Sequence, residues 1–498
     1  MSGYTAPLVM LFSVMTCEQT RSDDTQVPAV AAPGMAHARE LPLPAQATNL
    51  DLDLSLADAV ALGLRGNRDI RLSYLQRVAQ KFDLRVAESF FSPRLLLSSR
   101  YVARNSSQHR EQELSVAPKV TLVNEWGTQF SLSWARRLSQ AGQDGRKNHS
   151  GLSFEVIQPL LRNAGHEIVT APRRRARLSE HSHRLGLQAS VAQSVTRIVS
   201  TYRELLKAQE QLRIVTQALE RSREQLKVND ALIAAGRMAR LDRLQNEADL
   251  AHQELSAEQA AHRVQASRRA LSQLLALDLS TPLRASDELT AKRVDIDRQQ
   301  ALRIARQRQP QYLQQLIAQE LADIELLVAK NQRLWDLSLV AGAGHERHRR
   351  SSGAAKGVDR VWNTYAGVQL DIPIGDPEQR QRQVHAQVAV DSHALQQAQA
   401  QQSLERDVSD ALRTMHTHWR QYEIALRSRS LSERKLAVER HKLHVGRTSN
   451  FQVLSFEEDL RRSENAVLNA LIAYLDAQTQ LDERLGMTLD SWEIALND

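Results

Sequence analysis

His345 and His348 stand three residues apart in HERHRR, residues 345–350, a spacing from which two imidazoles could reach one metal ion. A closed metal site needs further ligands, and no cysteine or additional histidine lies nearby in the sequence, so the run reads as a solvated loop and no metal is expected. Arg173–Arg177 (RRRAR) could serve as a phosphate-binding patch. It is isolated and has no interleaved aromatics, which favours a solvated or headgroup-facing cluster over a nucleic-acid site. No phosphate-cradling glycine loop, nucleophile elbow or pocketed carboxylate pair occurs. The chain therefore presents no candidate catalytic residue and calls for no cofactor. Its single cysteine, Cys17, rules out an internal disulfide framework. Cys17 closes APLVMLFSVMTC, residues 6–17, which has the length of a signal-peptide apolar region. Two readings stay open there: a lipoprotein signal with lipid on Cys17, or an ordinary signal peptide, since no Lys or Arg precedes the apolar run.

Another pair of stretches repeats without offering chemistry. AAGRMARLDRLQNEADL (234–250) and HVGRTSNFQVLSFEEDL (444–460) share Gly-Arg, apolar residues five and eight on, then Glu, Asp and Leu, at an offset of 210 positions, Gly236 against Gly446. Upstream, ADAVALGLRGNRDI from Ala59 aligns with ALRIARQRQPQYL from Ala301 at an offset of 242. Such self-similarity marks two copies of one structural unit.

The elements that carry these tips are legible from composition. Aromatics are only 4% and the mean hydropathy is −0.44, while 25% of residues are charged, a balance that suits long helices or coiled coil better than one large core. The net charge of +7 in 498 residues is too mild for a dedicated nucleic-acid binder. All 13 prolines lie outside 173–281 and 378–498, and both spans are glycine-poor, so each reads as helix broken only at its tip. Ile198, Leu205, Leu212, Leu219, Leu226 and Ile233 recur every seven residues, as do Val408, Met415, Tyr422, Leu436 and Leu443, which implies left-handed supercoiling. Helices over 174–235 and 378–444 would run about 93–100 Å at ~1.5 Å per residue. The shorter pairs, 56–90 with 241–277 and 298–334 with 450–486, would stack end to end alongside. No stretch has the apolar length of a spanning helix.

TQFSLSW (128–134), GLSFEVI (151–157) and VQLDI (368–372) instead alternate apolar with polar residues, the pattern of strands with one face of each kind. Trp126, Trp134, Trp335 and Trp362 fall in these strand regions, as in the aromatic girdles of a membrane β-barrel. A small soluble β-domain capping a coiled coil is the alternative. Residues 344–357 read as an exposed hairpin tip whose Arg347, Arg349 and Arg350 face headgroups. ELSVAPKVTLV (113–123) carries Pro118, which favours an edge or flap position.

In this order of elements the chain resembles the TolC-like outer-membrane efflux proteins over about residues 50–490. The resemblance rests on the repeat opener LSLADAVALGLRGNRDI with its partner ending in Gln309-Pro310, on QPLLRNAG (158–165) with its counterpart DIPIGD (371–376), and on the paired tips. It implies a mainly α chain with a membrane β-barrel part. The parts would be a signal peptide (1–22), a Pro/Ala-rich linker (23–50), two repeats (51–290 and 291–490) with barrel strands about 94–158 and 336–373, and a short tail (491–498). It further implies a homotrimer in the outer membrane of a Gram-negative bacterium, with its helices in the periplasm. Such a trimer is a passive exit duct of tripartite efflux or type I secretion. Its partners would be a periplasmic adaptor, an inner-membrane transporter and outer-membrane lipid, with no nucleic acid. The adaptor-docking tips would be Gly236, Arg237, Val445, Gly446 and Arg447, where the arginines replace the family's usual Leu. Gln452, Ser455 and Asp242 match the positions of the family's periplasmic entrance. Whether the additional strands of the first copy enlarge the barrel or form a flap stays open. A non-channel coiled-coil scaffold or adaptor is the rival reading.

Overall fold

Ser55 opens the first helix with a capping box: its hydroxyl accepts from the Asp58 amide at 3.2 Å, and the Asp58 carboxylate accepts from the Ser55 amide at 3.4 Å. The computed structural model describes residues 52–496, apart from 106–109, 142–144, 237–239, 353–354, 376 and 446, as one folded unit. The expected signal peptide and linker, with Cys17, lie outside the described residues.

The elements follow in order: β1 (Leu52–Leu54), α1 (Leu56–Gly66), α2 (Arg68–Glu88), β2 (Arg94–Asn105), β3 (Arg110–Val123), β4 (Gln129–Ala141), β5 (Gly145–Pro159), α3 (His166–Val169), α4 (Ala171–Ala234) and α5 (Arg240–Leu274). After β6 (Leu283–Ala285) the second copy supplies α6 (Arg298–Arg308), α7 (Pro310–Gln332), β7 (Asp336–Ser352), β8 (Ala355–Asp371), α8 (Glu378–His444), α9 (Asn450–Leu485) and α10 (Thr488–Ser491). The long helices α4 and α8, of 64 and 67 residues, each run about 96–100 Å at ~1.5 Å per residue. No described helix is long and apolar enough to cross a membrane.

Two spans expected as continuous helix, 56–90 and 298–334, are each broken in two. Gln309 is extended (φ −70°, ψ 113°) because it precedes Pro310, whose ring disfavours the helical region for the residue before it. The first copy has Arg68 in place of that proline, yet Asn67 is extended too (φ −58°, ψ 128°). The Asn67 side chain accepts from the Asp69 and Ile70 amides at 2.8 and 3.2 Å and donates to the Leu274 carbonyl of α5 at 3.0 Å. A cap and a tertiary hydrogen bond thus do in one copy what proline does in the other.

At mid-length, Ile198, Leu205, Val191, Val195 and Tyr202 of α4 pack with Leu271 of α5 and with Leu275 just past its end in a core that excludes water. The Tyr202 hydroxyl lies between the Leu54 carbonyl (2.8 Å) and the Asp287 carboxylate (2.7 Å), and burial pushes its ionisation well above the ordinary tyrosine range. Tyr474 of α9 donates to the Lys292 carbonyl at 2.8 Å and accepts from the Val294 amide at 3.0 Å. The extended segment between the two copies is therefore pinned by one tyrosine from each side. Nearby, Gly486 ends α9 at φ +71°, where a Cβ would lie 2.5 Å from the Arg308 carbonyl oxygen, so neither the backbone nor the space admits a side chain.

All six long strands form one antiparallel sheet in the order β2-β3-β4-β5-β7-β8. The additional strands of the first copy are thus members of the sheet rather than a flap, and the edge position expected for Pro118 is overturned. β3 lies between β2 and β4. Pro118 pairs with Leu97 on one side, while on the other the ladder to β4 lapses between Val116 and Lys119. Proline has no N–H to donate, and the sheet accommodates it by interrupting one ladder locally.

Candidate functional site

The two faces of the sheet differ in chemistry. Cross-strand partners Leu95–Val120–Leu132–Phe154–Ala343 share one face, joined along the strands by Leu97, Trp134, Leu152, Leu339 and Val368. Apart from the half-buried Val120 and Ala343 these side chains are exposed, Leu95 by 73%, as is Trp362 on the same face by 75%, a larger apolar patch than stable water-facing surfaces carry. On the opposite face Ser133 and Ser153 hydrogen-bond at 2.6 Å, and the Tyr365 hydroxyl donates to Glu155 at 2.9 Å. That reach spans β7 because Gly342 leaves room for the ring: a Cβ there would fall 2.5 Å from Tyr365 Cζ.

The apolar face has a definite height. Trp335 stands just before β7, and the His345 and Trp362 rings, 4.6 Å apart on that face, stand near its other end. Ten residues of strand cover about 33 Å, which a tilt of roughly 35–45° reduces to about 23–27 Å, the hydrocarbon height that a membrane barrel presents. The strand also corrects one expectation. Residues 344–352 stay in β7 and pairing resumes at Ala355, so HERHRR is strand rather than loop.

At the opposite pole, α4 and α5 form one helical hairpin and α8 and α9 the other. Gly236 follows α4 at φ +69°, and nothing lies within 4 Å of a Cβ built on it, so only the backbone conformation requires glycine there. Val445 and Arg447 are exposed at the second tip, and the Arg447 amide donates to the Lys442 carbonyl at 2.9 Å. Gly446, Arg237 and the Asp242 side chain lie outside the described residues. Gln452 and Ser455 occupy the first turns of α9, both half-buried. Ser449 caps α9, accepting from the Gln452 amide at 3.4 Å.

No protein-family profile and no curated protein matches the sequence, but solved structures do match the fold. The Campylobacter jejuni CmeC outer membrane channel superposes with a TM-score of 0.65 at 18% identity, covering 87% of this chain and 86% of CmeC. The open state of the Neisseria gonorrhoeae MtrE outer membrane channel gives 0.66 at 15% identity over 87% and 89%. The outer membrane protein VceC from Vibrio cholerae gives 0.65 at 14% identity over 86% and 96%. The chain has the TolC-like outer-membrane channel fold.

Within this TolC-like fold the repeated Glu and Asp just past each tip acquire a role. Asp249 accepts from Ser222 of α4 at 2.9 Å, and Asp459 from Lys435 of α8 at 3.3 Å, so each zips its own hairpin. Glu457 takes Arg440 of its own hairpin and also Arg221 of the other, at 3.1 Å. The repeat alignment singled out these carboxylates, but their partners lie on other helices and could not be read off.

A second link between the TolC-like hairpins escaped the sequence altogether. Asn229 (α4) donates to Asn450 (α9) at 2.9 Å, and Asn450 donates to Asn246 (α5) at 2.7 Å; none of the three is more than 1% exposed. The apolar heptad of α4 conceals this chain. Toward the tip the buried positions of α4 are Ile214, Val215, Ala218, Ser222 and Asn229, whereas Leu219, Leu226 and Ile233 are only half-buried. Of the arginines in 173–177, Arg173 pairs with Glu125 at 2.6 Å, Arg175 with Glu325 at 2.8 Å and Arg177 with Glu88 at 3.2 Å. The hydrogen bond from Arg173 holds the Glu125 carboxyl below its ordinary range.

Proposed function

We propose that this chain is an outer-membrane exit duct that closes as a ring of three copies, with the barrel in the membrane and the helices in the periplasm. The observation that carries the reading is that both layers of the molecule have matching open edges. In the sheet those edges are β2 and β8, and six antiparallel strands leave them running in opposite directions. β8 of one copy is thus correctly oriented to pair with β2 of the next. In the helical layer α2 follows α4 and α8 follows α7, and both outer flanks carry exposed apolar residues: Leu75, Val78 and Phe82 on α2, Val384, Val388 and Leu395 on α8. Nearer the tips, Leu241 and Leu244 of α5 and Ile424 and Leu431 of α8 repeat the arrangement. Exposed stripes of this kind are expected to be covered by a partner, and a cyclic ring covers all of them with one contact.

Three copies would close a barrel of 18 strands, six from each. Barrels of about 16–18 strands leave a water-filled lumen, and the polar sheet face would line it. The apolar face would meet lipid, which a soluble scaffold or adaptor could not explain. Arg347 and Arg349 share the outward face with His345, just beyond the aromatic level, where anionic headgroups lie. CmeC and MtrE, which share this fold, are outer membrane channels, and passive conduction without catalysis is the role this reading transfers. Cargo would come from an inner-membrane transporter through a periplasmic adaptor docked on the tips at Gly236, Arg237, Val445, Gly446 and Arg447, in tripartite efflux or type I secretion. The test is conductance of the purified, detergent-extracted protein in planar lipid bilayers. Discrete open-channel steps are expected, and inserted protein that never conducts across the voltage range would overturn the reading.

A further inference from the structure

His149 on β5 and His348 on β7 are direct cross-strand partners, although 199 residues separate them in the chain. Both side chains lie on the polar face, as does Glu346, two residues before His348 on the same strand. The Nδ1 atoms of the two imidazoles face each other at 3.1 Å. One ligand atom from each of the three residues lies within 4.8 Å of the other two, and all three side chains are half-buried. We propose that His149, His348 and Glu346 form a binding site for a divalent transition-metal ion of the Zn²⁺, Cu²⁺ or Ni²⁺ class.

The geometry favours a metal over a plain histidine pair. Two imidazole nitrogens bound to one ion at about 2.0–2.1 Å with tetrahedral angles lie about 3.3 Å apart, close to the separation found. His348 uses its other ring nitrogen, Nε2, against Glu346 Oε2 at 3.2 Å. That is the carboxylate–histidine contact by which metal sites fix a ring so that the remaining nitrogen faces the ion. A second carboxylate, Asp359 on β8, is the cross-strand partner of His348 on the same face. Imidazole nitrogen with carboxylate oxygen selects the borderline first-row ions and disfavours Ca²⁺ or Mg²⁺, which take oxygen sets.

The position has a structural consequence. β5 is the last strand that the first copy gives to the six-stranded sheet and β7 the first from the second, so an ion here would clip the seam between the two halves of the chain. The site lies beyond the His345–Trp362 level, at the end of the sheet away from the helices. An ion bound only by the folded sheet stabilises it by RT ln(1 + c/Kd), where c is the free ion concentration.

The site rests on sheet geometry alone, and ion binding to it can be read whether or not the protein conducts. Purified full-length protein in detergent, stripped with EDTA, is titrated with Zn²⁺ by calorimetry. In parallel, Cu²⁺-loaded protein is examined by electron paramagnetic resonance. One ion per chain and nitrogen couplings from two imidazoles are expected. The double variant His149→Gln/His348→Gln should lose the site, and Glu346→Gln should weaken it by about 10–100-fold. Circular dichroism checks that each variant keeps its sheet; if the double variant misfolds, the imidazole couplings in the unmodified protein still decide. Absence of binding at millimolar Zn²⁺, copper spectra without imidazole nitrogen, or unchanged binding in a folded double variant would each overturn the proposal.

Discussion

Gly236 shows what one residue contributes at the tip and how much of that is legible. The repeat of Gly-Arg between helical stretches identified it, and the structure adds that only its φ of +69° matters, since the space around it is open. Asparagine tolerates this conformation and β-branched residues resist it. Gly236→Asn should therefore retain export, whereas Gly236→Val should cost about 1–3 kcal/mol locally and lower export while leaving assembled protein in the membrane. Export and assembly measured on the same cells separate the two variants. Glu464 makes a different residue-scale prediction. Its Oε2 is buried with no hydrogen-bond partner, and its nearest cation, Arg221, is 3.9 Å away. Burial raises its carboxyl above the ordinary range despite Arg221. A raised carboxyl contributes stability that is fully present below its unfolded pKa and lost as pH rises through the folded one. Glu464→Gln should thus melt about 1–2 °C higher than the unmodified protein at pH 7, with the gain vanishing near pH 4; an equal gain at both pH values would contradict this.

Among the elements, the buried asparagine chain shows where sequence periodicity stops being informative. The apolar residues of α4 repeat every seven positions, but three hairpin helices converge near the tip, where Asn229 of α4 is joined to Asn246 of α5 through Asn450 of α9. Nothing local to Asn229, Asn246 or Asn450 announces partners more than 200 residues away. The strands taught the opposite lesson: their alternation gave the two faces directly, while their neighbours and the interior place of Pro118 depended on pairing. Asn450→Ala should take away the partner of the Asn229 amide nitrogen and of the Asn246 amide oxygen, and cost about 1–3 kcal/mol for each orphaned group. Replacing all three by leucine should recover most of that stability but loosen the register between hairpins. Thermal melting reads the first effect, and hydrogen exchange near the tips reads the second. If docking depends on the charge at the tips, Arg237→Glu with Arg447→Glu should abolish crosslinking to a periplasmic adaptor and lower export at least tenfold while melting is unchanged. Normal export with intact crosslinking would remove the tips as the docking surface.

At the scale of the whole molecule, the open edges of one copy are informative because they agree. β2 and α2 bound one side and β8 and α8 the other, each with apolar surface that a single chain leaves exposed. The internal repeat made the long helices and strand pairs readable from sequence. The six-stranded width was not readable, because it rests on β5 of one copy pairing with β7 of the other across the chain. An exit duct built from these edges exists only as an assembly. The measurement is the native mass of the protein extracted by detergent from the outer-membrane fraction. Three copies in one complex are predicted, with nothing released by salt or alkaline washing. A monomer recovered in the soluble fraction, or a complex of any other copy number, would contradict it.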